Sequence, residues 1–134
     1  MPQEKSAGAI IYNKGKYLIL HYQAGHWGFP KGNIEKDETE IQTVRREVEE
    51  ETSIKDIFQV KGFSKKVSYF FKRQGKIVHK EVIYFLFESN TDKIKLSDEH
   101  LSAEWLSFYE TYHKLTFKNS KKILRDAHSF LNPK

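Results

Sequence analysis

Residues 32–54 read GNIEKDETEIQTVRREVEEETSI, and this stretch decides how the rest of the chain is interpreted. Asp37 with Glu40 three residues later is typical of a helix start, where side chains satisfy free backbone N–H groups. Aliphatic residues then recur at helical spacing on one face: Ile41, Val44 and Val48. The stretch therefore predicts an amphipathic helix over residues 38–52 whose apolar face packs on the core.

The polar side of this predicted helix carries three carboxylates close together. Glu50 and Glu51 follow Glu47 by three and four residues, so the side chains share roughly 100° of arc beside the apolar face. Carboxylates at this spacing repel one another, and a bound divalent cation removes that repulsion. Hard oxygen ligands suit Mg²⁺ or Mn²⁺. A run of acids alone is also typical of an ordinary solvated helix face, so the spacing of the whole motif has to distinguish a metal site from such a face.

Strand-like and helical patterns surround this helix. Runs rich in β-branched and aromatic residues predict strands over residues 6–12, 16–22, 57–60, 66–71, 78–87 and 103–108. A loop rich in Gly and Pro covers residues 25–32. Helical spacing returns over residues 109–115 and 119–131. This order predicts an α/β fold of the α+β kind, with a mixed β-sheet sandwiched between helices.

Composition narrows the class of protein. The chain has 134 residues, which predicts one domain over residues 1–134, and it has no cysteine, which excludes disulfides and thiolate chemistry. No apolar run approaches the roughly 20 residues of a membrane span, and no signal peptide is evident at residues 1–5, so we expect a cytoplasmic protein without a membrane partner. The net charge is +5, and residues 61–80 hold seven basic side chains and no acid. Anionic partners are therefore favoured.

The full spacing of the helix region matches a known motif. Gly32, Glu38 and residues 46–54 fit Gly-x5-Glu-x7-Arg-Glu-U-x-Glu-Glu-x-Gly-U, where U is aliphatic. On these positions the chain resembles the Nudix hydrolases, which implies the Nudix fold. Ser53 stands where the motif has its last Gly. This residue is expected to end the helix in the left-handed conformation, which costs a serine on the order of 1 kcal/mol.

The resemblance implies how the motif holds metal. Glu47, Glu50 and Glu51 are expected to bind Mg²⁺ or Mn²⁺, with help from the backbone carbonyl of Lys31. The implied reaction is attack of water on a phosphorus atom of a nucleoside diphosphate linked to another group. Cations neutralise the phosphate oxygens and acidify the water, while a carboxylate accepts its proton.

Supporting roles follow from the same resemblance. Gly32 and Glu38 are expected to be structural, and Arg46 to support catalysis by holding Glu50, which lies four residues further on, through paired N–H donors. Glu99, outside the motif, is expected to add a carboxylate near the metals. The candidates for the general base are Glu47, Glu51 and Glu99.

Four other stretches resemble the asymmetrical diadenosine tetraphosphate hydrolases within the Nudix family. They are SAGA at residues 6–9, HWGFPKGN at 26–33, LSDEH and EWL within 96–106, and LTFKNSK at 115–121. Together with the motif they run through most of the chain. The resemblance therefore implies a small-molecule dinucleoside polyphosphate or nucleotide as substrate, with diadenosine tetraphosphate cleaved to ATP and AMP.

Five residues are expected to bind that substrate. By the resemblance, His26 and Lys31 contact the phosphate chain. Phe117 stands where the family often has Tyr, and Phe71, with Tyr69 on the same strand face, lies in the other segment that supplies a stacking ring. Two aromatic rings can hold a purine between them, with stacking worth about 1–3 kcal/mol per base.

Other substrates and one other class of protein are compatible with this sequence. The same chemistry serves RNA 5′-triphosphate ends, damaged nucleotides and diphosphoinositol polyphosphates, and the basic residues 61–80 suit RNA or inositol phosphates. A non-catalytic nucleotide or RNA sensor on a Nudix fold is a further alternative. The intact Glu47, Glu50 and Glu51 argue against a sensor, because a sensor has no need to keep three carboxylates in mutual repulsion.

Overall fold

A mixed β-sheet forms the centre of the fold in the computed structural model, which describes residues 2–133. Its strands run in the order β3-β2-β1-β6-β5, with β4 paired to β1 and β7 paired to β2. The pairing of β1 with β6 is parallel, and the pairings of β1 with β2 and of β5 with β6 are antiparallel. The strands are β1 (Gln3–Asn13), β2 (Lys16–Tyr22), β3 (Trp27–Gly28), β4 (Lys31–Asn33), β5 (Ile57–Arg73), β6 (Lys76–Ser89) and β7 (His100–Leu106).

Helices cover both faces of the sheet, which confirms the predicted sandwich. Alternation along the strands sends Ile10 of β1 to one apolar cluster and Ile11 to the other. The first cluster contains Leu124 of α3 (Lys118–Leu131), against which α2 (Phe108–Lys114) also packs. The second contains Val44 and Val48 of α1 (Glu40–Thr52). Within residues 2–133 no helix is long and apolar enough to cross a bilayer.

Helix α1 ends where the motif predicts but begins two residues later than predicted. Thr39, not Asp37, is the N-cap: its hydroxyl accepts from the Gln42 amide at 3.1 Å, and the Gln42 side chain accepts from the Thr39 amide at 2.8 Å. Asp37 has φ 67° and lies in the turn before the helix, so it cannot cap it. Ser53 closes the helix with φ 65°, and its amide donates to Glu49.

Several strand boundaries differ from the predicted ones. Residues 25–32, predicted as a loop, contain β3 and most of β4, because these short segments pair with β2 and β1. Strands β1, β6 and β7 begin two or three residues earlier than predicted.

Residues 61–65, predicted as a break, belong to the continuous strand β5, which takes up the extra residues in an irregularity between Gln59 and Ser64. Exposed polar side chains are compatible with β5 because it lies at the sheet edge. Phe108, predicted as the end of a strand, starts α2 instead, because Ser107 and Glu110 form a capping box there.

Candidate active site

Arg46 organises the acidic side of α1. Its Nε donates to Glu38 Oε2 at 2.6 Å and its Nη2 to Glu38 Oε1 at 3.0 Å, which is a bidentate pair. Nη1 reaches Glu47 at 2.7 Å and Glu50 at 3.3 Å. The sequence predicted Glu50 as the bidentate partner of Arg46. In the structure that partner is Glu38, in the turn before the helix, and Glu50 makes only the longer contact of 3.3 Å. Arg46 therefore ties that turn to Glu47.

Glu38 is held as a carboxylate by four donors, which predicts how stability depends on pH. Besides Arg46, the Thr43 hydroxyl and the Glu35 amide donate to it, and these contacts lower the pKa of Glu38 from 4.5 to about 2. A pKa depressed in the folded state adds stability that is present above about pH 4.5 and is lost as the pH falls towards 2. Glu38→Gln is therefore expected to lower the free energy of unfolding at pH 7 and to converge with the wild type near pH 2.

Urea unfolding of both proteins at pH 7, 4 and 2.5 measures this effect. Glu49→Gln is the matched control, because Glu49 is exposed on the same helix and forms none of the Arg46 contacts described above. A difference between Glu38→Gln and the wild type that is equally large at every pH would contradict the assignment of the ion pair as the cause.

Three of the predicted carboxylates border one cleft. Glu47, Glu51 and Glu99 line a cavity of about 390 Å³ together with the side chains of Lys31 and Lys80. Gly32 forms part of its wall, and a Cβ atom added there would collide with the Glu47 carboxylate. The glycine predicted as structural is thus needed because the carboxylate lies directly against the backbone. The cleft combines negative ligands for a cation with positive side chains for an anion.

Glu51 has the chemistry of a cation ligand without a partner. Its side chain is buried, and Oε1 has no hydrogen-bond partner. Burial and the neighbouring Glu47 carboxylate raise the pKa of Glu51 to about 9, and burial also raises the pKa of Glu47. Glu47 has Arg46 as its cationic partner, but the buried Glu51 carboxyl has none, and a divalent cation between the two would remove the cost of ionising Glu51. The residues present therefore fit a metal of the Mg²⁺ type.

Glu50 stands apart from this pair. Its side chain is 58% exposed, it contacts Arg46, and it is not among the residues around the cleft. Within residues 2–133 no three acidic or histidine side chains converge closely enough to form a metal site by themselves. Two carboxylates with substrate phosphate and water satisfy the usual needs of Mg²⁺, so the Glu47–Glu51 pair is sufficient for such a site.

A second, more apolar cavity adjoins the cleft. Its volume is about 440 Å³, and Tyr69, Tyr84 and Phe117 contribute to its walls. His26 and Lys31 belong to both cavities and so stand at their junction. Burial and the Lys80 ammonium lower the pKa of Lys31 to about 8, and a bound anion would favour its charged form. His26, Lys31, Tyr69 and Phe117, predicted from separate segments, thus come together.

Phe71 does not reach this cavity. Its ring lies 6.3 Å from Tyr69, centroid to centroid, and the guanidinium of Arg73 lies 5.1 Å from its centroid. On the same strand face, Tyr69 rather than Phe71 lines the cavity. Phe117, which lines the same cavity, is 53% exposed, and its ring centroid lies 5.2 Å from that of His26.

Sequence reasoning missed several residues around the two cavities. Lys80 lines the cleft and is paired with Tyr69 in the β5–β6 register. Only this strand pairing brings Lys80 to the cleft, and the sequence alone does not show it. Tyr22 stacks on His26 with ring centroids 4.5 Å apart, and its hydroxyl donates to the Phe29 carbonyl at 2.5 Å. His100 is buried; its Nε2 lies 3.9 Å from Glu51 Oε2, and this nitrogen has no hydrogen-bond partner.

A mixed sheet between helices, with a helix that carries carboxylates into a cleft that also contains lysines, is the architecture expected of a Nudix hydrolase. The chain belongs to this family: a profile of the NUDIX domain matches residues 2–127. Nudix hydrolases generally use divalent metals such as Mg²⁺.

Relatives and solved structures agree with this assignment. The bis(5′-nucleosyl)-tetraphosphatase [asymmetrical] of Mus musculus is 33% identical over 122 residues, which cover 87% of this chain and 80% of the relative. The protein of the same name from Caenorhabditis elegans is 31% identical over 134 residues, or 95% of this chain and 96% of the relative. The crystal structure of a C. elegans Ap4A hydrolase binary complex matches with a TM-score of 0.84 at 28% identity, covering 96% of this chain and 97% of that chain.

Proposed function

We propose that this chain is a divalent-metal-dependent hydrolase that cleaves diadenosine tetraphosphate (Ap4A) asymmetrically to ATP and AMP. The observation that carries the proposal is the pair of cavities joined at His26 and Lys31. A charged cleft suits a polyphosphate chain, and an apolar aromatic cavity beside it suits a nucleobase. An inositol phosphate would leave the second cavity unused. The names of the relatives, asymmetrical bis(5′-nucleosyl)-tetraphosphatases, support this proposal.

On the phosphate side, Glu47, Glu51 and the backbone carbonyl of Lys31 would hold Mg²⁺ or Mn²⁺. Glu50, one turn along the helix, would join them by leaving its 3.3 Å contact with Arg46. The cation, when bound, neutralises phosphate oxygens and makes the attacking water more acidic. The ammonium groups of Lys31 and Lys80 bind the phosphate chain as point charges.

The protein supplies the base and the orientation of the reacting groups. Glu47, Glu51 and Glu99 all border the cleft, and one of them accepts the proton of the attacking water. Arg46, fixed by its bidentate pair with Glu38, holds Glu47 in place. His26, stacked on Tyr22, is in a fixed orientation to donate to a phosphate oxygen.

On the base side, Phe117 and Tyr69 would stack on one adenine. Phe117→Ala is therefore expected to raise KM for Ap4A about tenfold, because base stacking is worth about 1–3 kcal/mol. KM for inorganic tetrapolyphosphate, which has no base, should change less than about twofold, which is below the smallest stacking contribution. Phe117 is the N-cap of α3 but makes no side-chain capping bond, so the substitution removes no cap.

Steady-state kinetics on the two substrates makes this comparison, with Phe70→Ala as the control. Phe70 is an exposed aromatic residue on the same β-hairpin as Tyr69, and it lines neither cavity. Equal changes of KM for Ap4A and tetrapolyphosphate in Phe117→Ala would overturn the stacking role.

A substrate panel tests the proposed specificity. The wild type with Mg²⁺ is assayed against Ap4A, 5′-triphosphate RNA, 8-oxo-dGTP and diphosphoinositol polyphosphate, and kcat/KM is compared. The proposal expects the highest value for Ap4A. A higher value for RNA, with a steep dependence on salt, would instead favour a role for the basic residues 61–80. Binding of nucleotide without any turnover would indicate a sensor.

A further inference from the structure

The segment that joins β6 to β7, residues 90–99, is fastened to the C-terminal end of α1. The Lys95 amide donates to the Thr52 carbonyl at 3.0 Å, and the Ser97 amide donates to the Glu51 carbonyl at 3.1 Å. Both acceptors belong to the last turn of the helix, whose carbonyls have no partner within the helix itself. Residues 90–99 are thus hydrogen-bonded to the helix turn that carries Glu51.

Ser53 adds a side-chain contact to this junction. Its φ of 65° places it in the left-handed region, and its Oγ donates to the Lys95 carbonyl at 3.1 Å. Glycine, which the Nudix motif has here, would adopt this backbone without strain but has no hydroxyl to donate. The departure from the motif is therefore accompanied by a bond that a glycine cannot make.

The fastened segment carries Glu99 to the cleft. Ile94 and Leu96 pack on the apolar cluster beneath α1. The Ser97 hydroxyl lies 3.0 Å from His100 Nδ1. Glu99, between these two residues, is exposed and borders the same cavity as Glu47 and Glu51. The position of an exposed carboxylate on a segment without regular structure depends on how firmly that segment is held.

We infer that Ser53 is a positioning residue: its hydroxyl, bonded to the Lys95 carbonyl, holds residues 90–99 against α1 so that Glu99 faces the cleft. The inference rests on the proposed function, in which Glu99 acts beside Glu47 and Glu51. The effect of Ser53 is then transmitted through the segment, because its side chain is not among the residues that line the cleft.

Three variants separate the hydroxyl from the backbone conformation. Ser53→Ala keeps the Cβ and removes the hydroxyl, while Ser53→Gly also relieves the left-handed backbone. Ser53→Asn tolerates the same conformation and offers an amide donor to Lys95. Gln74→Gly is the matched control, because Gln74 is another non-glycine residue with positive φ, at 52°, in the remote β5–β6 turn.

Two readouts are measured on each variant: hydrogen exchange of the amides of residues 95–99, and kcat and KM for Ap4A. Loss of one hydrogen bond is expected to speed exchange about fivefold and to lower kcat about fivefold in Ser53→Ala and Ser53→Gly. KM should change less than twofold, well below the roughly tenfold effect of losing a stacked base. Ser53→Asn and Gln74→Gly should behave like the wild type.

Unchanged exchange in Ser53→Ala would overturn the inference, as would faster exchange with an unchanged kcat, which would make the hydroxyl merely structural. Hydrogen exchange requires no substrate, so failure of the proposed function is recognised separately. A wild type that leaves Ap4A intact refutes that function, while faster exchange in Ser53→Ala would still support the contact that holds the segment.

Discussion

Glu51→Gln is expected to lower kcat for Ap4A by a hundredfold or more while leaving the protein folded. Glutamine is nearly isosteric but is neither a proton acceptor nor a strong ligand for a hard cation, and loss of such a group typically costs about 10²–10⁴ in rate. Burial and Glu47 raise the pKa of the Glu51 carboxyl to about 9, so its ionised form is unfavourable in the metal-free fold.

The raised pKa of Glu51 also predicts whether Glu51→Gln stabilises or destabilises the metal-free protein. A folded-state pKa above the unfolded value destabilises the fold as the pH rises from about 4.5 towards 9. A neutral glutamine removes that cost, so the metal-free variant should melt at or above the temperature of the wild type at pH 7.5. Thermal unfolding in EDTA measures this difference.

Glu49→Gln is the matched control for Glu51→Gln, because Glu49 is exposed on the same helix and is not among the residues around the cleft. It should retain the kcat of the wild type. If Glu51→Gln kept turnover within about twofold of the wild type, well short of the loss of a catalytic group, the carboxylate cluster would not be the catalytic centre.

The second large effect is expected for Gly32→Ala. The added Cβ would occupy the space of the Glu47 carboxylate, which lies at the end of a flexible side chain and can turn away. The carboxylate would then leave its 2.7 Å contact with Arg46 and its place in the cleft. A displacement of about 1 Å at a reacting group can cost about a hundredfold in rate, so kcat should fall by about that factor.

The melting temperature distinguishes Gly32→Ala from a substitution that simply disrupts packing. Because a side chain rather than backbone gives way, the melting temperature of Gly32→Ala should change by only a few degrees. Gly8→Ala makes the contrast, since its Cβ would come within 2.9 Å of the Pro30 carbonyl oxygen and 2.8 Å of the Tyr84 ring. That variant should lose stability markedly. Wild-type kcat in a folded Gly32→Ala would contradict the placement of Glu47.

Local signals in the sequence predicted the framework of this molecule well. Helix α1 and its apolar face on Val44 and Val48 follow from spacing, and its left-handed end at Ser53 was predicted from the place of the last Gly in the Nudix motif. The gathering of His26, Lys31 and Phe117 at one cavity was predicted from resemblance and not from local pattern. The capping residue Thr39 was missed because Asp37 offers an equally good local signal two residues earlier.

The features of the site that the sequence did not predict depend on contacts between segments distant in the chain. Glu38 lies eight residues before Arg46, and only the turn that precedes α1 brings it to the guanidinium. The choice of Tyr69 over Phe71 depends on where the strand passes the cavity, which alternation alone does not determine. Lys80 reaches the cleft through the register of β5 with β6. Each of these needs the three-dimensional structure.

Asymmetrical cleavage is the central claim, and identification of the products tests it most directly. Purified protein is incubated with Ap4A and Mg²⁺, and the products are separated by chromatography, with Glu51→Gln and an EDTA-treated sample as controls. The account predicts ATP and AMP in equal amounts from the wild type and almost none from either control. Two molecules of ADP per Ap4A, or intact Ap4A after incubation with the wild type, would contradict it.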